Sequence, residues 1–336
     1  MFTPQDIQEI EKTLKAFPVG SQISVAKVEH GDVSYHGIIK SKNKIITIDN
    51  QHAIFEVGSI TKLFTSTVLA QMSLEKIISL DDAIDEELGF TLKNNATISY
   101  KELATHSSGL PGLPLKLIWS AIFNSKTNPY KDYSEDKLLD YLKNNLKLKK
   151  KGKQKYSNLG VGLLGYLLTK IANKSYQELL KQRIFIPLEM FESTTIKTEV
   201  KQNLVIGLNK KGKPTNNWDF DALAGAGAVL SSTYDLSKFV LANLEGKDAA
   251  FNLQQQCFYK KARNRMGLGW FILKKTLKNI DVAYFHNGGT GGYRSSMVVN
   301  FEKNTGIVVL SNISGLYAIK GGKIDNLAFS LLENMT

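Results

Sequence analysis

Strand-like patterns stand at both ends of this 336-residue chain, and helix-like patterns fill its middle. Gln22 to Glu29 alternates through Ile23, Val25 and Val28; His30-Gly31-Asp32 reads as a turn; Val33 to Lys40 resumes the alternation. Lys44 to Ile48 predicts a third short strand. Near the other end, Asn203 to Asn209, Gly267 to Leu273, Val282 to His286, Ser295 to Asn300 and Gly306 to Ser311 read as strands. Helical spacing covers Pro4 to Phe17, Ser99 to Thr105, Leu115 to Phe123, Ser134 to Leu146, Leu159 to Ala172, Ser175 to Ile184, Ser232 to Leu244 and Ile324 to Leu332. Such an order suits one sheet built from both termini, with a helical region inserted. The expected class is therefore α/β (α+β): an antiparallel sheet flanked by N- and C-terminal helices. Residues 1–75 and 201–336 are expected to form the sheet domain and 76–200 the helical subdomain, with an active site between them.

Within that frame one stretch carries chemistry. Ser59 and Lys62 are spaced i, i+3, and the apolar run Leu63 to Met72 predicts a helix beginning there. At a helix start these positions share a face, so the lysine amine can approach the serine hydroxyl. Serine is a weak nucleophile until a base takes its proton, and the free N–H groups of a helix N-terminus suit an oxyanion. Ser-x-x-Lys recurs at Ser24…Lys27 in a strand pattern, at Ser41…Lys44 in a polar loop and at Ser73…Lys76 where a helix ends. Only Ser59 among these combines a preceding glycine with a long apolar helix.

Two further stretches are candidates. Tyr156-Ser157-Asn158 precedes a glycine- and leucine-rich helix; a tyrosine there can relay protons, and an asparagine amide can hold a substrate carbonyl. His286-Asn287-Gly288-Gly289-Thr290-Gly291-Gly292 follows a strand, and its glycines let a substrate lie against the backbone.

The single cysteine, Cys257, excludes an intrachain disulfide, and five scattered histidines argue against a metal site. No cofactor is expected. The net charge of +12 comes mostly from dispersed lysines. The one dense run, Lys143 to Lys155, leads into Tyr156, and no nucleic-acid partner is expected. No apolar run approaches the ~18 residues of a membrane span. Met1 to Asp6 has neither a basic nor an apolar leader region. The expectation is a periplasmic or secreted monomer whose leader is absent from this sequence, with a cytoplasmic location as the alternative.

From about Ile23 onward the chain resembles the class C β-lactamase-like serine hydrolases, a group that includes D-alanyl-D-alanine peptidases and esterases. The resemblance lies in Gly58-Ser-Ile-Thr-Lys62, Leu103-Ala-Thr-His-Ser-Ser-Gly-Leu-Pro111, Tyr156-Ser-Asn158 and Asn217-Trp-Asp-Phe-Asp-Ala-Leu-Ala-Gly-Ala-Gly227. It continues in Ser232-Thr-Tyr-Asp-Leu236, Gly267-Leu-Gly-Trp270 and His286-Asn-Gly-Gly289. It implies a β-lactamase/penicillin-binding-protein-like fold and a small-molecule or peptidoglycan-derived substrate. It implies Ser59 as the acylated nucleophile, Lys62 as its activating amine, Tyr156 as the proton-shuttling partner and Asn158 as a holder of the substrate's amide. The backbone N–H groups of Ser59 and Gly289 become the oxyanion hole, with His286, Asn287 and Gly288 lining the substrate. β-Lactamases usually carry lysine where His286 stands. Lys320 and Lys323 are the expected substitutes as carboxylate anchors, and Lys116 falls in a loop expected to border the cleft.

Overall fold

A computed structural model of the chain describes residues 1–114, 128, 130–149, 151–316 and 318–335. Its centre is a nine-stranded antiparallel sheet ordered β3-β2-β1-β11-β10-β9-β8-β7-β6. The strands are β1 (Gln22–Glu29), β2 (Asp32–Lys40), β3 (Ile45–Thr47), β6 (Tyr259–Lys261), β7 (Asn264–Met266), β8 (Phe271–Leu277), β9 (Ile280–Gly289), β10 (Arg294–Asn300) and β11 (Thr305–Ser311). A separate two-stranded pair joins β4 (Phe55–Glu56) to β5 (Leu230–Ser231). The two ends of the chain meet in the large sheet, where Ile23 of β1 faces Ser311 of β11. The hairpin turn between β1 and β2 uses left-handed His30 (φ 51°) and Gly31 (φ 95°), the twist that two-residue hairpins favour.

Alternation along the strands decides which layer covers each face. Val25, Val298 and Val309 pack with Ile10 and Leu14 of α1 (Pro4–Lys15) and with Ile324 and Leu331 of a C-terminal helix, Ala318–Glu333. Ala26, Met297, Val308 and Leu310 point the other way, into the larger core. That core contains α2 (Thr61–Leu74), buried along most of its length, and α3 (Asn158–Ala172). A helix enclosed on nearly all sides is held rigidly by the core, and α2 therefore fixes where Lys62 sits, with Ser59 on the turn that opens it. Thr233–Glu245 is α4 and the C-terminal helix is α5. Among the described residues no helix is long and apolar enough to cross a membrane.

Three expectations need correction or limits. Asn203 to Asn209 does not form a strand; its backbone makes only isolated bridges, Ile54 with Leu204 and Leu208 with Pro214 and Ile313. Gly267 to Trp270 turns, with Gly269 at φ 78°, and β8 begins at Phe271. The helix expected over 115–123 lies outside the described residues.

Candidate active site

Gly58–Ile60 forms a 3₁₀ turn that leads directly into α2. Gly58 is left-handed (φ 53°), and a Cβ there would meet the Gly289 nitrogen at 2.7 Å. The glycine thus allows β9 to lie against the turn that carries Ser59. Lys62 Nζ is 2.9 Å from Ser59 Oγ, 2.8 Å from Asn158 Oδ1 and 2.6 Å from the Ala226 carbonyl oxygen. Lys62 is fully buried. Burial holds its pKa well below the usual lysine value, and no opposite charge among the described residues offsets that effect. A neutral amine has two N–H groups and one lone pair. Asn158 Oδ1 and Ala226 O only accept, so they take the two N–H groups and leave the lone pair facing Ser59.

The Ala226 carbonyl arrives through close backbone packing. A Cβ on Gly165 of α3 would meet the Gly225 Cα at 2.7 Å. The small residues over 222–228 therefore bring a main-chain oxygen onto a buried lysine. A further Ser-x-x-Lys, Ser134…Lys137, also opens a helix, Glu135–Asp140, but there Lys137 Nζ donates to the Asp132 carbonyl oxygen on the surface.

Ser157 caps α3: its Oγ accepts from Gly160 N at 2.9 Å and donates to the Pro111 carbonyl at 2.6 Å. That cap places Asn158 beside Lys62 and Tyr156 above it, with Lys62 Nζ 5.0 Å from the Tyr156 ring centre. Tyr156 leaves 37% of its surface exposed, yet its hydroxyl end is crowded by protein. Burial there raises the phenol pKa, and a hydrogen bond with Ser59 opposes the rise. Tyr156 is thus a protonated phenol at neutral pH. Tyr130, unread in the sequence, places its hydroxyl against Asn158 and close to Tyr156.

The end of β9 forms the opposite wall. A Cβ on Gly288 would lie 2.8 Å from Ser59 N. The ladder between β8 and β9 reaches only Phe271 with Phe285, so residues 286–289 keep one edge unpaired by β8. An open strand edge can accept an extended substrate by main-chain hydrogen bonding.

The His286 and Asn287 side chains are engaged within the protein. His286 is fully buried and packs against Phe271 (ring centres 5.4 Å) and Tyr156 (6.3 Å). Its Nδ1 is 2.7 Å from the Asn287 carbonyl oxygen, so Nδ1 carries the proton. Burial, with Lys62 as the next cause, pushes its pKa down to about 3. His286 is therefore neutral and offers no cation to a substrate carboxylate. Asn287 donates to Asp325 Oδ2 of α5 at 2.9 Å, and the same oxygen accepts from Arg294 of β10. Arg294, which the sequence reading passed over, is the guanidinium at this end of the site. Lys323 is exposed on α5. Lys320 lies on the same helix with its side chain outside the described residues, and Lys116 lies wholly outside them.

Glu56, two residues before Gly58, had no signal in the sequence. It is buried, and its Oε1 accepts from Asn217 Nδ2 and Trp218 N, both at 2.8 Å. It ties the Asn217-Trp218 motif to the segment that leads into Ser59, and burial raises its pKa.

The family model named Beta-lactamase matches residues 20–328, and the chain belongs to that family. Protein flp of Staphylococcus aureus (strain MW2) is 27% identical over 287 residues, covering 79% of this chain and 54% of that protein. The chain thus spans about half the length of that relative. Among solved structures, a class C beta lactamase from Rhodobacter sphaeroides superposes with a TM-score of 0.81 at 18% identity, covering 98% of this chain and 99% of that one. A Beta-Lactamase/D-Alanine Carboxypeptidase from Pseudomonas syringae gives 0.81 at 22% identity, with coverages of 98% and 97%. These likenesses show that the fold is shared.

Proposed function

We propose that the chain is a serine hydrolase that works through an acyl-enzyme on Ser59, cleaving β-lactam or D-alanyl-type amide bonds. The observation that carries the reading is the position of buried Lys62, whose Nζ lies 2.9 Å from Ser59 Oγ and is held there by Asn158 Oδ1 and the Ala226 carbonyl oxygen. Neutral Lys62 takes the Ser59 proton as Oγ attacks the substrate carbonyl. The tetrahedral oxyanion forms against the N–H groups of Ser59 and Gly289, each such donor being worth about 2.7–4 kcal/mol in the transition state. Tyr156, protonated and in contact with Ser59, passes a proton with Lys62 to the leaving group. Water then hydrolyses the acyl-enzyme, with the same groups working in reverse.

Substrate enters this scheme along the open edge of β9, with Asn158 Nδ2 toward its acyl amide. The active site lies where residues 1–75 and 201–336 meet residues 76–200, and the protein acts as a monomer in the periplasm or outside the cell.

A second reading, a carboxyl esterase, draws support from one observation. His286 is neutral, and Arg294 is already paired with Asp325. Charge at this end is therefore balanced, which suits an uncharged ester. A third reading is a penicillin- or peptidoglycan-binding protein that acylates without turning over. One assay set separates them: a chromogenic cephalosporin, a D-Ala-D-Ala peptide and a p-nitrophenyl ester, each followed for turnover and by intact mass. Rapid turnover of either amide supports the first reading, and turnover of the ester alone supports the second. A stable mass adduct supports the third, and no adduct and no turnover on all three retires the hydrolase reading.

A further inference from the structure

His106 belongs to neither the nucleophile turn nor β9, yet it grips Tyr156 from three sides. Its carbonyl oxygen accepts from Lys155 N at 2.8 Å. Its Nδ1 accepts from Ser157 N at 3.2 Å. Its ring centre lies 4.6 Å from that of Tyr156. One residue therefore holds the backbone on both sides of Tyr156 and supports the ring between them. His106 is itself held at φ 56°, in the left-handed region that non-glycine residues rarely adopt. Because Ser157 N–H donates to Nδ1, the imidazole is neutral with its proton on Nε2. A neutral ring fits here better than an imidazolium, which would lose the Ser157 bond and add a charge beside Lys62. Burial, followed by Lys62 and His286, keeps the ring neutral.

We infer that His106 is a positioning residue that sets the Tyr156 phenol over Ser59 and Lys62. The kinetic part of this inference rests on the hydrolase reading; the hydrogen bond does not. Two substitutions separate the side chain from the backbone. His106→Gly accepts the left-handed φ without strain and keeps the carbonyl grip on Lys155, but it removes the ring and Nδ1. His106→Asn also tolerates this φ and restores an acceptor, Oδ1, toward Ser157 N–H.

A misplacement near 1 Å costs about 100-fold in rate. His106→Gly is therefore expected to lose about that factor in kcat, with KM changed less than threefold, while circular dichroism shows an intact fold. His106→Asn is expected to regain at least about tenfold of that loss. In the wild-type protein, a scalar coupling between the ¹⁵N nuclei of Ser157 and His106 Nδ1 should report the hydrogen bond directly. Absence of that coupling overturns the inference. So does a folded His106→Gly whose kcat falls less than about tenfold, or a His106→Asn no better than the glycine variant. If His106→Gly does not fold, the coupling and a His106→Asn kcat within about tenfold of wild type decide the matter. If the wild-type protein turns over no substrate, the hydrolase reading fails by itself, and the coupling alone decides the role of His106.

Discussion

A Cβ on Gly288 would lie 2.0 Å from the Val57 carbonyl oxygen and 2.8 Å from Ser59 N. The end of β9 and the turn that carries Ser59 are thus in backbone-to-backbone contact, with no room for a side chain. Gly288→Ala must push the two apart. Overpacking of this kind costs about 1–3 kcal/mol, and it displaces the proposed oxyanion donors together. We expect a lower midpoint in urea and a loss of at least about 100-fold in kcat/KM. Wild-type kinetics in Gly288→Ala would show that the contact does not hold the donors in place.

Lys62→Ala removes the group that faces Ser59 Oγ. Loss of a general base costs about 10²–10⁴-fold, so acylation should slow by that factor in a folded variant. The wild-type rate should rise with pH as the buried amine loses its proton, because only the neutral amine has a free lone pair. The burial that lowers the Lys62 pKa shifts this rise well below the range of an ordinary lysine. Stopped-flow acylation across a pH series checks both points; a pH-independent rate would contradict the assignment of Lys62 as base.

His286 couples stability to acid. It is neutral in the folded chain with a pKa of about 3, and it titrates near 6.5 when unfolded. Between those values the unfolded chain binds more protons, so stability falls as pH drops, by up to about 1.36 kcal/mol per pH unit. His286→Gln should lose less stability than wild type between about pH 6.5 and pH 4, measured by urea denaturation. Equal losses would place the acid sensitivity elsewhere. The same neutrality predicts that kcat/KM for a carboxylated and an uncharged substrate will share one pH profile through the ordinary histidine range.

The sequence made the Ser59–Lys62 pair readable because helical spacing and an apolar run are local signals. The same holds for most strands and for the helix expected from Ser99, which the structure places at Tyr100–Ala104 with Ser99 as its cap. The surroundings of His286 were not local. Its burial depends on Phe271 and Tyr156, which come from other segments, so nothing in the local sequence shows that their rings enclose it. The Arg294–Asp325 pair spans β10 and α5, and Tyr130 reaches Asn158 across the fold; neither spacing carries a periodic signal. Asn203 to Asn209 alternates like a strand but runs where only isolated bridges form.

The lysine run before Tyr156 is stitched to the His106 loop. Lys149 N donates to Gly109 O, Gly152 N to Ser107 O and Lys155 N to His106 O. Lys151 pairs with Glu102 at 3.2 Å, whereas a side-chain hydrogen bond with Lys149, and after it the like charges of Lys149 and Lys153, lower the Lys155 pKa. Replacing Lys149, Lys150, Lys151 and Lys153 with glutamine should slow capture of an anionic substrate at low salt and leave kcat unchanged. The difference should shrink as screening shortens to about 8 Å near physiological ionic strength. Equal kcat/KM for wild type and variant at low salt would remove electrostatic capture from the account.

The proposed reaction stands or falls with Ser59 as the acylated nucleophile. Intact-mass measurement after incubation with a fluorescent penicillin, followed by peptide mapping, tests it most directly. One adduct per chain is expected on the peptide containing Ser59, and none on Ser59→Ala. An adduct that persists on folded Ser59→Ala would contradict it.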